Sequence, residues 1–145
     1  MGIVSLNDII ITPLQRITTD GGDIMHAIKA SSPGFKKFGE AYFSWTDEGA
    51  IKAWKKHQNM TLNLVAPLGE IRLVFSLGNN KNEYRVEDIG EKRYIRLTVP
   101  PGIWFGFQGR ASKSSLLMNI ADIEHDSSEV LRKPVSAFSY DWSLK

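Results

Sequence analysis

Hydrophobic and polar residues alternate along this chain in short runs. Residues 9–11, 23–28, 41–45, 61–65, 71–75, 93–99 and 116–120 each read as a strand. They are separated by turn formers: Gly21-Gly22, Pro33-Gly34, Pro67-Leu68-Gly69, Gly78-Asn79-Asn80, Pro100-Pro101-Gly102 and Asp126-Ser127-Ser128. Short strands about 8–12 residues apart, punctuated by glycine and proline, predict an all-β sandwich or barrel. Residues 47–56 break the pattern. They are rich in helix formers and set Glu48 four residues before Lys52, so on their own they leave a helix open. With no internal repeat and no linker, residues 1–145 are expected to form a single domain.

Composition narrows the function. Of 145 residues, 42% are hydrophobic and 23% charged, which fits a folded chain and argues against disorder. Eighteen basic against sixteen acidic residues give a net charge of only +2, so charge points to neither a nucleic acid nor a membrane as partner. The absence of cysteine excludes a disulfide scaffold, a thiol nucleophile and any Cys-ligated metal. The N-terminus has no basic segment or small-residue cleavage site of a signal peptide, and Leu6 occupies the Ser/Thr position of the myristoylation motif that Met1-Gly2 would open. No apolar stretch approaches the roughly 18 residues of a membrane span. The expected location is the cytoplasm.

Three stretches carry more specific information. Gly49-Ala50-Ile51-Lys52-Ala53-Trp54-Lys55-Lys56-His57 is similar to a G-V-x-R-G-x-H-x-Q strand. Val99-Pro100-Pro101-Gly102-Ile103-Trp104-Phe105-Gly106-Phe107 is similar to I-P-x-G-F-A-H-G-F. Met118-Asn119-Ile120-Ala121-Asp122, followed by Asp126-Ser127-Ser128-Glu129, is similar to a Y-K-x-x-D-Y-Y-x-P-x-x-E ending, and Gly69-Glu70-Ile71 fits a G-x-V hairpin. Together they resemble the dTDP-4-dehydrorhamnose 3,5-epimerase family of cupin-type jelly rolls. The resemblance spans roughly residues 20–135. It implies a cupin-like jelly roll in which residues 49–57 are a strand, with Ala53, Lys55 and His57 on one face and Lys52, Trp54 and Lys56 on the other. It also implies a homodimer.

The resemblance further implies site residues, and the departures from it are informative. The family's catalytic His falls on Lys55, its partner Lys on Leu62, its Tyr acid on Met118 and its second His on Phe105. The R-G-x-F-x-E element falls on Gly21–His26 without its Arg or Glu, and the Asp that orients the catalytic His matches Asp141. Lys52 takes the place of a phosphate-contacting Arg. Lys55 and His57 are then the candidate catalytic groups, since a lysine with a depressed pKa or a histidine can move a proton, and such a lysine can also form a Schiff base. Tyr42, Ser44, Arg72, Asn119 and Asp122 are candidate substrate contacts, with a Lys55–Asp122 or Arg72–Asp122 pair satisfying a buried charge. Metal-binding cupins use an H-x-H-x₃₋₄-E strand and a later His. Here the strand is Lys55-Lys56-His57 and the later position is Phe105, so neither a metal nor any other cofactor is expected.

These observations lead to an epimerase- or isomerase-type protein that removes and returns a proton on a nucleotide-activated 4-keto sugar. A non-catalytic sugar-nucleotide or carbohydrate-binding module is the alternative. A purely structural or interaction role is the third reading, favoured if Trp54, Phe105 and Phe107 fill the barrel interior and leave no cavity.

Overall fold

The computed structural model describes residues 3–79 and 82–145. Met1-Gly2 and Asn80 of the sequence readings lie outside the described residues. Twelve strands follow in order: β1 (Ile10–Pro13), β2 (Arg16–Ile17), β3 (Ile24–Met25), β4 (Glu40–Thr46), β5 (Ile51–His57), β6 (Leu62–Leu68), β7 (Glu70–Ser76), β8 (Arg85–Gly90), β9 (Ile95–Val99), β10 (Trp104–Gly109), β11 (Ser115–Ala121) and β12 (Val130–Arg132). Two five-stranded sheets are ordered β1-β9-β6-β11-β4 and β12-β5-β10-β7-β8, and β2-β3 forms a small hairpin. Every strand pairing is antiparallel. This is the expected all-β, cupin-like jelly roll.

Period-two alternation turns one face of each sheet inward. Leu62, Leu64, Leu97, Val99, Leu117 and Ala121 of the first sheet meet Ile71, Leu73, Phe75, Ile89 and Phe105 of the second in one core. Strand β9 is buried on both faces because Arg96 and Thr98 lie under the loop of residues 26–34. The Arg96 guanidinium donates to the Ala27 and Pro33 carbonyls at 2.8 Å each and to Asn63 Oδ1 at 3.1 Å, which satisfies a charge that is only 1% exposed.

Gly69 does more than close a hairpin. It joins β6 of one sheet to β7 of the other, so the chain turns a corner between layers. At φ 80°, and with Ser115 packed against its α-carbon, the position excludes a side chain.

A third layer covers the outer face of the second sheet. Trp142 and the half-buried Phe138 and Tyr140, from the C-terminal segment, pack on Trp54, Val74 and Trp104. Ring centroids are 5.0 Å apart for Trp54–Phe138 and 4.9 Å for Tyr140–Trp142. Arg72 anchors the end of this segment by donating to the Leu144 carbonyl at 2.8 Å.

The helix left open for residues 47–56 does not form. That segment supplies β5, held between β10 and β12, where ladder hydrogen bonds and burial of Trp54 outweigh helix propensity. Strands β8 and β12 lack a sequence signal. β8 is charge-rich (Arg85, Glu87, Asp88) and β12 has three residues.

Candidate active site

The two sheets splay apart between β4, β6 and β11 on one side and β5, β10 and β12 on the other. The resulting cavity has a volume of about 510 Å³. Each wall has its own chemistry. The first sheet contributes Tyr42, Ser44, Leu62, Leu64, Leu117 and Asn119, none of them charged. The second contributes Lys52, Lys55, Arg132 and Lys133, together with Ala53, Trp54, Phe105 and Phe107. Among the described residues that line the cavity there is no Asp or Glu.

A bulge in β5 assembles the cations. Phe105 pairs with Lys55 but Gly106 pairs with Ala53, so Trp54 is left over. The extra residue reverses the alternation, and Lys52 shares the cavity face with Lys55 rather than facing away from it as a regular strand would dictate. Trp54 points into the outer aromatic layer, where its Nε1 donates to the Val135 carbonyl at 3.1 Å. Trp54 therefore does not fill the interior, and the cavity removes the condition that would have favoured a purely structural or interaction role.

At the mouth, Lys52 Nζ donates to the Trp45 carbonyl at 2.6 Å and to Ser44 Oγ at 3.2 Å, bridging the sheets. Arg132 stands directly opposite Lys55 in the β12–β5 register. Like charges across a strand pair repel, and an anion between them would relieve it. Burial, together with the charges of Arg132 and Lys52, holds the Lys55 ammonium below the ordinary lysine value, although Glu129 pulls the other way. The ammonium of Lys133 lies over the rings of Trp104 and Phe138, 4.9 and 5.3 Å from their centroids. Deeper, Asn119 accepts the Asn63 N–H at 3.2 Å and donates to the Tyr42 hydroxyl at 3.3 Å.

His57 lies behind this wall, 5% exposed, its ring stacked on Phe105 at 6.1 Å. Its Nδ1 is 2.6 Å from Glu129 Oε1, and Glu129 Oε2 accepts the N–H groups of Gln58 (2.9 Å) and Asn59 (3.1 Å). Burial lowers the His57 pKa and outweighs the hydrogen bond and charge of Glu129. Burial pushes Glu129 up, but the bonds from His57 and the two backbone N–H groups outweigh it and leave the carboxyl below its ordinary value. At neutral pH the pair is thus a neutral imidazole donating through Nδ1 to a carboxylate. That leaves a lone pair on Nε2, which is buried without a partner among the described residues.

Of the residues expected from sequence, Tyr42, Ser44, Lys52, Lys55 and Asn119 surround the cavity. Two do not. Arg72 faces the outer layer, bidentate to Asp88 at 2.7 and 2.9 Å, because it alternates with the core residues Ile71 and Leu73. Asp122 accepts the Thr61 N–H at 2.8 Å and pairs with neither Lys55 nor Arg72. Asp141, matched to the orienting Asp, is exposed and bonded to Ser143; the carboxylate on the histidine is Glu129. Met118 sits opposite Phe43 on the outer face.

No protein-family model matches the sequence, and no curated protein does. Solved structures do. That of a dTDP sugar isomerase from Desulfovibrio desulfuricans G20 matches with a TM-score of 0.88 at 31% identity, over 94% of this chain and 91% of that one. The chain belongs to the RmlC-like cupin family of dTDP-sugar isomerases and epimerases. Two further structures share the fold. RmlC of Legionella pneumophila Philadelphia 1, a dTDP-6-deoxy-D-glucose-3,5-epimerase solved with dTDP-4-keto-L-rhamnose, gives a TM-score of 0.82 at 12% identity, over 98% of this chain and 82% of that one. The sugar 3,4-ketoisomerase QdtA of Thermoanaerobacterium thermosaccharolyticum, solved with TDP, gives 0.74 at 13%, over 92% and 93%.

Within this RmlC-like cupin, Lys55, Leu62 and Phe105 line the cavity where the sequence motifs place the family's His, Lys and second His. Sequence reasoning missed Glu129 and Arg132 as site residues. Glu129 was visible only as the end of the third motif, and its contact with His57 spans 72 residues. Arg132 had no signal, since its role comes from the register of a three-residue strand.

Proposed function

We propose that the protein is an epimerase or isomerase acting on a nucleotide-activated 4-keto sugar, removing a proton beside the ketone and returning it without a redox cofactor. One observation carries this reading: a sugar-sized cavity with four basic residues, Lys52, Lys55, Arg132 and Lys133, on one wall, an uncharged opposite wall and no carboxylate among its described lining residues. Such a mouth suits a diphosphate, which accepts charge-assisted hydrogen bonds from Lys52 and Arg132. The sugar then reaches past them to Lys55, the group placed to act on the carbon beside the ketone. Tyr42 and Ser44 supply neutral hydrogen bonds to its hydroxyls, and Asn119 orients the Tyr42 hydroxyl. His57, closed off by Phe105, is the second candidate for moving a proton.

The reading includes a homodimer in the cytoplasm, and sedimentation equilibrium measures the first part. Among the described residues no three His, Asp or Glu side chains come together, and no helix is long and apolar enough to cross a membrane.

The non-catalytic binding module is favoured by one specific feature, the apolar Leu62 and Phe105 at the positions of the family's Lys and second His. Proton exchange separates the two readings. Incubation with TDP-4-keto-6-deoxyglucose in D₂O, followed by NMR at C3–H and C5–H, is expected to show deuterium uptake. Ligand line broadening without uptake would establish the binding module instead.

A further inference from the structure

Lys55 differs from the other lysines around the site. Lys52 is bonded to Trp45 and Ser44, while the ammonium groups of Lys56 and Lys133 lie over aromatic rings. The Lys55 ammonium makes no hydrogen bond or ion pair to any described residue, although the residue is half-buried in the cavity wall. It shares the cavity with Lys52 and Arg132 and with an apolar floor made of Leu62, Leu64, Phe105 and Leu117.

That floor poses a chemical problem. Removing a proton beside a ketone puts negative charge on the ketone oxygen, and the charge needs a donor aimed at it. Leu62, Leu64, Phe105 and Leu117 have none. Asn119, the polar residue among them, already has its Nδ2 directed at the Tyr42 hydroxyl and Met60 Sδ. An amine that condenses with the ketone removes the difficulty, because the positive iminium nitrogen then takes up the electron pair.

We propose that Lys55 is an imine-forming lysine, condensing with the keto group of a nucleotide-activated sugar whose diphosphate rests on Lys52 and Arg132; this builds on the function proposed above. In the first step Nζ bonds to the carbonyl carbon, the C–O bond breaks and the oxygen leaves as water. Ammonium plus ketone becomes iminium plus water, and the single positive charge is kept. The neighbouring C–H bond then gives its electron pair to the iminium, forming an enamine, and its proton passes to water at the open mouth. Return of a proton to that carbon, followed by hydrolysis of the iminium, regenerates Lys55 and the ketone. The lowered pKa of Lys55 raises the share of free amine that can attack.

The test is reductive trapping. Protein, TDP-4-keto-6-deoxyglucose and sodium cyanoborohydride are incubated together, and the digest is mapped by mass spectrometry. The peptide containing Lys55 is expected to gain the mass of the sugar nucleotide less one oxygen. Lys55→Arg, which keeps the charge but cannot condense, and Lys55→Met are expected to lose the adduct, with circular dichroism confirming that they fold. The deuterium-exchange assay runs in parallel on the wild type. Exchange without an adduct overturns the imine and leaves the isomerase reading standing. An adduct at Lys55 without exchange supports the imine and overturns that reading, and the absence of both signals overturns both. An adduct that persists at the same level in Lys55→Arg is surface modification and also overturns the imine.

Discussion

Replacing Glu129 with alanine removes one carboxylate and strands three donors. Glu129 is 3% exposed, and its side chain serves His57 Nδ1 at 2.6 Å and the N–H groups of Gln58 and Asn59 at 2.9 and 3.1 Å. A buried donor left without a partner costs about 1–3 kcal/mol. Three of them at the low end, since Gln58 and Asn59 are exposed and water can reach their backbone, give a loss of about 3 kcal/mol. For a chain of this size that corresponds to a fall in Tm of about 10 °C. Glu129→Gln keeps one acceptor oxygen but turns an NH₂ group toward a donor, so about half that loss is expected. Thermal and urea unfolding at pH 7.5, followed by tryptophan fluorescence, measure both variants. A fall in Tm of less than about 3 °C for Glu129→Ala would refute the assignment of Glu129 as the acceptor that holds this corner of the site.

Other predictions concern charge, pH and the C-terminal layer. Lys52→Ala and Arg132→Ala are each expected to weaken TDP binding about tenfold, the value of one charge-assisted hydrogen bond, with a smaller loss at high salt; calorimetric titration at two ionic strengths checks this. His57 is held below the ordinary histidine value, so between that value and its folded one the unfolded chain binds a proton that the folded chain does not. Stability is therefore lost as the pH falls from about 6.5, and again through the carboxylate range, where Glu129 and Asp88 are also held low. The urea midpoint followed from pH 8 to 4 should show both declines, and His57→Gln should abolish the first; a midpoint that rises on acidification would contradict the sign. Trp142→Ala opens a cavity against Trp54, 5.5 Å away, and should cost about 3 kcal/mol in unfolding assays. TDP affinity should fall with it, because the same layer packs on Trp54 of β5, the strand that holds β12 and Arg132 in register.

The all-β class and most of the strands are legible in the residues alone, because alternation with a period of two and glycine or proline breaks are local properties of the chain. Alternation also set Tyr42 and Ser44 on one face, and the three motifs placed Lys55 where the family has its base. Charge on Arg72 and Asp122 looked equally suited to a site, yet alternation with Ile71 and Leu73 sends Arg72 to Asp88, and Asp122 caps the Thr61 backbone. Tertiary structure alone decided which cations meet. A one-residue bulge at Trp54 brings Lys52 onto the face of Lys55, and the register of β12 sets Arg132 opposite it. Glu129 reaches His57 across 72 residues for the same reason. Local propensity fixes which segments extend, whereas the face and the partner of each side chain depend on register, and register is set by packing between segments far apart in the chain.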